Sequence, residues 1–204
     1  MAAPEPLARR ELIVETTRRL VTQFGVHGAT IARIAETAGI SQGGIYRHFR
    51  SRTDILLAVV DDIFDQIFSL YEVPAGTDPL DHLREIARRH SQLMTDDSHS
   101  FARPWLEFIA AAPRLGLREA VRAKQMTAVD ALESIVAAGQ CSGSIRTDVS
   151  ARQVAWEFLS WAWGENVGSA LGLSDFIGGG NSARLVDLIL TSASTPSASR
   201  RPTS

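Results

Sequence analysis

The chain has almost no cysteine: Cys141 is the single one in 204 residues. That excludes an intrachain disulfide framework and suits a reducing cytoplasm, the expected location. No apolar run approaches the roughly 18 to 20 residues of a membrane span, so no membrane partner is expected. The opening stretch MAAPEPLARRELIVETTRRL lacks an apolar core followed by a small-residue cleavage site. It is expected to be a tail entering a charged helix, not a signal peptide. GxSxG, phosphate-loop and HExxH motifs are missing, as is any Cys-His cluster. His82, His90 and His99 are too scattered for a dedicated metal site. Neither an enzyme nor a cofactor or metal requirement is therefore expected. An excess of positive charge is also missing, since the net charge is −2. Lys124 is the single lysine among 21 basic residues. The charge is unevenly spread, however. Through Leu56 there are eight Arg against five acidic residues (+3), and after it 13 basic against 18 acidic (−5). A basic end on an acidic body hints at a nucleic-acid head on a domain of another kind.

What is present is helical periodicity, with no convincing strand and no internal repeat. Residues 8–24 place Leu12, Ile13, Thr16, Leu20, Val21 and Phe24 at helical spacing, and Gly25 and Gly28 bracket the end. Thr30 can cap a second helix, IARIAETA, which Gly39 stops. Ser41 can cap a short third helix of about 42–48. A fourth, linking helix is expected over 53–72, and VPAGTDP at 73–79 is the clearest break. Further helices are expected over 80–95, 101–111, 115–138, 151–171 and 183–190, with Pro113 interrupting one of them. The expectation is an all-α fold of about nine helices, with a helix-turn-helix head on a helical-bundle body. The boundaries are 1–52 for the head, 78–193 for the body, and 194–204 for a disordered tail.

Within the head, SQGGIYRHF sets two glycines in a short helix, each costing about 1 kcal/mol against alanine. Two eight-residue helices joined at Ala38-Gly39-Ile40-Ser41 match a helix-turn-helix. Ile40, Ile45 and Phe49 can bury, which leaves Gln42, Gly43, Gly44, Arg47 and His48 outside. In such a motif the second helix enters the DNA major groove, N-terminal residues first. Glycines there trade helix stability for close approach to the bases. Gln42 can pair with adenine, and Arg47 with guanine or phosphate. Tyr46 and His48 carry hydrogen-bonding tips suited to phosphate. Gly-Gly is also an ordinary loop sequence, so spacing alone leaves both readings open.

The stretch GATIARIAETAGISQGGIYRHFRSRTDILLAV resembles the signature of the tetracycline-repressor (TetR) family of bacterial transcription regulators. The family pattern is met in order by Thr30, Ile34-Ala35, Ala38-Gly39-Ile40-Ser41, Gly44, Ile45-Tyr46, Phe49, Arg52, Asp54 and Leu56. The resemblance covers about residues 8–56, and more loosely GSIRTD at 143–148, which looks like the link into the family's dimerisation helices. It implies that Thr30, Gln42, Gly44, Tyr46, Arg47, His48 and Arg52 contact DNA. Arg33, Ser41 and Gly43 complete the candidate set. Two departures matter. Arg52 stands where relatives often carry Lys, giving a planar fork instead of a point charge. Gly43 stands where relatives commonly carry a base-reading side chain, which moves specificity onto Gln42, Arg47, His48 and DNA shape.

The resemblance further implies that the body binds a small-molecule effector and forms a homodimer. Phe101, Trp105 and Phe108 share one helical face, and Trp156, Leu159, Ser160, Trp163 and Val167 another. With Phe68, Met94 and Met126 they are the candidate lining of an apolar cavity. Each can equally be plain core. Gly164, Gly168 and Gly172 recur every four residues. With Leu185, Val186 and Ile189 they are candidates for a two-fold four-helix interface, or for a close contact within one subunit. Glu107, Glu157 and Glu165 are expected at the surface. The implied function is a repressor released from a near-palindromic double-stranded DNA operator by an apolar or amphipathic effector. Such a protein would be nucleoid-associated when bound. The alternatives are a DNA-binding regulator without an effector, or a helical enzyme keeping a vestigial helix-turn-helix.

Overall fold

The computed structural model describes residues 6–96 and 101–194. The expected loop around His99 and the expected tail beyond Ser194 lie outside them. Among the described residues there are α-helices and one π-helical turn, and no strand beyond an isolated bridge between Ile145 and Ser194. The helices are α1 (Pro6–Gly28), α2 (Ile31–Ala38), α3 (Gln42–Tyr46), α4 (Arg52–Ser69) and α5 (Pro79–Thr95), then α6 (Ala102–Leu115), α7 (Arg118–Ser142), α8 (Ala151–Ala170), α9 (Ser174–Phe176) and α10 (Ser182–Ala193). The π turn (Ile177–Asn181) leads into α10.

Local chemistry accounts for most boundaries. The Thr30 side chain accepts from the Arg33 N–H, and Ser41 from Gly44, so both helices of the expected pair are capped at the N-terminus. Gly39 sits at φ 66, where a side chain is disfavoured, and the N–H groups of Gly39 and Ile40 close the end of α2 on Glu36 and Ala35. Ser150 caps α8 through Gln153, and Asp78 caps α5 through Leu80.

Several sequence expectations need correction. The first helix does not stop at 24: it resumes after a non-helical Gly25 (φ 70, ψ 170) and runs to Gly28. The third helix ends at Tyr46, and the N–H of His48 closes a tighter turn on the Ile45 carbonyl beyond it. Pro113 does not interrupt α6. It lies in the last turn of the helix, and Gly116 at φ 70 ends the helix instead. The linking helix stops at Ser69, the long seventh helix starts at Arg118 and reaches Ser142, and α9 with the π turn was not anticipated.

The chain divides into two compact units: residues 1–69 with 98–125, and residues 70–97 with 126–204. The first unit therefore includes α6, which the sequence break at 73–79 had assigned to the body. The reason is packing. Trp105, fully buried, meets Phe64 edge to face at 5.3 Å, and α6 lies against α1 and α4. In the second unit Leu83 and Ile86 of α5, Leu132 and Val136 of α7, Phe158 and Trp161 of α8, and Leu190 of α10 form one core.

Candidate nucleic-acid interface

Ile34, Ile45 and Phe49 are buried, and they hold α3 by one side. The other side is free. Gln42, Gly43 and Arg47 are exposed, Tyr46 is 54% exposed, and His48 and Gly44 are half-buried. Nothing in the chain's own packing requires glycine at 43. An added Cβ there would lie 4.0 Å from the Ser41 hydroxyl, with no other neighbour within that distance. At Gly44 it would sit 3.4 Å from the same hydroxyl and 3.7 Å from Ile40. Thr30 and Ser41 are exposed, but both oxygens already accept backbone N–H groups as caps.

Two predicted contacts are placed otherwise. Arg52 is not an extended phosphate-seeking side chain. Its Nε donates to the Ala29 carbonyl at 2.8 Å and its Nη2 to the Val26 carbonyl, so the guanidinium ties α4 to the end of α1. Burial lowers its pKa from the usual arginine value. Arg33 donates from Nη1 to the Gly28 carbonyl at 2.9 Å and lies 4.6 Å over the Phe24 ring. Two arginines next to Phe49 were missed by sequence reasoning. Arg50 is exposed directly after Phe49, and Arg10, at the start of α1, lies 5.1 Å over the Phe49 ring. The excess of arginine before Leu56 was the available signal, but only the fold brings Arg10 to this end of the head.

The expected effector residues fall in both units. Phe101, Trp105 and Phe108 are fully buried in the first unit, where half-buried Phe68 stands 6.1 Å from Phe64. In the second unit Leu159 belongs to the core, Met94 is fully buried, and Met126 and Trp163 are half-buried. Trp156 (49% exposed), Ser160 and Val167 face outward. Glu165, expected at the surface, is 5% exposed. Its carboxylate accepts from His90 Nδ1 at 2.9 Å and from the Ser91 hydroxyl at 2.9 and 3.0 Å. The His90 ring stands 5.4 Å from Trp161. The available signal was spacing: Glu165 falls one turn after Trp161, on the same buried face of α8. Ser91 also lines a pocket of about 470 Å³ between α5, the π turn and α10, together with Ala87, Ile177, Ser182, Val186, Arg84 and Arg88.

The glycine series divides as well. Gly164 is exposed with open space at its Cβ position, whereas an added Cβ at Gly168 would meet Ile177 of the same chain at 3.4 Å. Gly172, at φ 73, lies past the end of α8 and cannot share its face. On α10 Leu185 is 48% exposed, Ile189 is half-buried, and Val186 at 3% is core. Leu188, which the sequence reading overlooked, is 60% exposed. Trp156, Ser160, Leu185, Leu188 and Ile189 together border a shallow apolar groove of α8 and α10.

The all-α fold and the sequence of the head have counterparts among known proteins. Residues 13–59 match the family model of bacterial regulatory proteins, tetR family. A stretch of 137 residues is 34% identical to the HTH-type transcriptional regulator BetI of Cronobacter sakazakii, covering 63% of this chain and 66% of that protein. A stretch of 100 residues is 28% identical to the HTH-type transcriptional repressor KstR2 of Mycolicibacterium smegmatis, covering 44% of this chain and 49% of that one. The matches thus span about half to two thirds of the curated relatives' length. Among solved structures, a TetR transcription regulator from Haloarcula marismortui superimposes with a TM-score of 0.79 at 18% identity, covering 93% of this chain and 100% of that chain. Salmonella enterica GusR does so at 0.76 and 20%, covering 93% and 95%. By the sequence of its head and by its all-α fold, the chain belongs to the TetR family of bacterial regulatory proteins.

Proposed function

We propose that the protein is a DNA-binding transcriptional repressor that acts as a homodimer on a near-palindromic operator and is released by a small amphipathic effector. The observation that carries the reading is the free face of α3. Ser41 caps it, Ile45 and Phe49 anchor it, and Gln42, Tyr46 and Arg47 stand exposed on its far side. One such helix reads too few bases for a unique site, so two-fold pairing is part of the proposal. The groove bordered by Trp156, Leu185 and Leu188 supports α8 and α10 as the dimer surface, because an exposed apolar patch of this kind is a common subunit contact. The effector reading rests on the 470 Å³ pocket, whose volume is in the usual range for small-molecule sites. One of its lining residues, Ser91, donates to the buried Glu165 carboxylate. The site of action is the bacterial cytoplasm and nucleoid.

Selection of bound genomic fragments with the purified protein tests the reading. A recurring near-palindrome, bound with an affinity that falls steeply with salt, is the expected result. Replacing Tyr46 and Arg47 together by Ala is expected to weaken that binding and leave the helical content and dimer unchanged. Retention of no sequence above background would refute DNA recognition. Titration of apolar and amphipathic compounds, following tryptophan fluorescence and operator affinity together, separates an effector-controlled regulator from one without an effector.

A further inference from the structure

The junction between α1 and α2 is held by two side chains from outside it. Gly25 adopts φ 70 and ψ 170 within α1, which takes the next peptide group out of the helical ladder. The N–H of Val26 finds its acceptor 81 residues away, in Oε2 of Glu107 on α6, at 3.3 Å. The C=O of Val26 accepts from Arg52 of α4, which also holds the Ala29 carbonyl. One residue is thus clamped on both of its peptide groups, by a carboxylate from α6 and a guanidinium from α4. Val26 and Ala29 are themselves fully buried. Gly25 is matched to this arrangement. A Cβ there would lie 2.9 Å from Glu107 Oε2, and the backbone angle is one that side-chain-bearing residues rarely adopt. Immediately after Ala29 comes Thr30, the cap from which α2 starts, and α2 leads directly into α3.

We infer that Glu107 is a positioning residue for DNA binding: from α6, it fixes the backbone hinge from which the helix-turn-helix projects. The inference rests on the DNA-binding reading above and adds a residue that touches no DNA. It also gives α6 a defined route to the head. Trp105 of the same helix packs on Phe64 of α4 while Glu107, two residues on, holds α1. A displacement of α6 therefore bears on the hinge through the Glu107–Val26 hydrogen bond as well as through the packing of α6 on α1.

The test uses the full-length protein with Glu107→Ala and Glu107→Gln. Two readouts are followed: amide hydrogen exchange at Val26, and affinity for a duplex recovered by the fragment selection, at fixed temperature well below unfolding. Glu107→Ala is expected to speed exchange at Val26 and to weaken operator binding by about tenfold, the scale of one lost hydrogen bond to a charged group. The dependence of affinity on salt is expected to stay unchanged, because no phosphate contact is removed. Glu107→Gln keeps an acceptor oxygen and is expected to restore both readouts to near wild type. Unchanged Val26 exchange in Glu107→Ala would overturn the clamp, whatever happens to DNA. Faster exchange with operator affinity within twofold of wild type would overturn the positioning role. Equal loss in both variants would overturn it too, since a general packing defect would explain that. If the wild-type protein selects no fragment, the DNA-binding reading fails first, and the exchange experiment still decides the clamp by itself.

Discussion

Replacing Gly43 by alanine separates two reasons for keeping a glycine in α3. If the residue were needed by the protein's own fold, a methyl group would meet an obstacle. It does not: the ideal Cβ has one neighbour, the Ser41 hydroxyl at 4.0 Å. Gly43 is also absent from the glycines with positive φ. In the free protein the substitution should therefore only gain, by the difference in helix propensity and in unfolded-chain entropy, about 0.5–1 kcal/mol near a helix start. For a chain of this size that is a rise in melting temperature of roughly 1–4 °C. On DNA the same methyl group stands on the exposed side of α3, where a close approach to base edges leaves no room. An affinity loss of about tenfold or more is expected, corresponding to about 1.4 kcal/mol or more. The assay is a thermal melt of the free protein beside an operator titration at one salt concentration. Gly44→Ala serves as an internal comparison, because its Cβ would make ordinary contacts with Ser41 at 3.4 Å and Ile40 at 3.7 Å and should gain at least as much stability. The reasoning is refuted if Gly43→Ala raises both stability and operator affinity, for then the glycine is no clearance.

Three further perturbations probe the rest of the molecule. Arg52→Ala is expected to destabilise the fold by about 1–3 kcal/mol by leaving the Ala29 carbonyl without its donor and the Val26 carbonyl with only the Ala29 N–H, and to change the salt slope of DNA binding less than Arg47→Ala. Denaturant unfolding beside a salt series checks both halves. Removing one member of the buried His90–Glu165 pair, as in His90→Ala, is expected to cost about 3–5 kcal/mol, because a carboxylate at 5% exposure keeps only the Ser91 hydroxyl. A loss below about 1 kcal/mol would show that water reaches the carboxylate in its place. Leu188→Glu, at a side chain 60% exposed in the groove, should leave the helical content unchanged and shift sedimentation from dimer to monomer. A dimer that persists would move the proposed interface away from α10.

Features decided within a few residues were legible in the sequence. Thr30, Ser41 and Ser150 cap the helices they were expected to cap, and Gly39 adopts the left-handed turn expected of it, because capping geometry involves only neighbouring atoms. The apolar stripe of α2 with Ile45 and Phe49 likewise placed the buried side of the head, which left Gln42, Tyr46 and Arg47 outside. Periodicity also shows that a helical face is apolar. It does not say what covers that face. Phe101, Trp105 and Phe108 were visible as one face, but only packing on α1 and α4 assigned them to the head unit. Trp156 and Val167 have the same apolar character and are left open at the surface.

By itself, then, the sequence determined an all-α chain with a capped helix-turn-helix and an exposed polar face on its second helix, since each follows from contacts between residues close in the chain. Only the tertiary structure decided that Arg52 spends its donors on the α1 carbonyls, that Glu107 reaches Val26, and that Glu165 is buried against His90 and Ser91. Each of those joins groups 23 to 81 positions apart. Hydrogen-bonding partners at such separations are chosen by how helices pack, and no local pattern of residues encodes that choice.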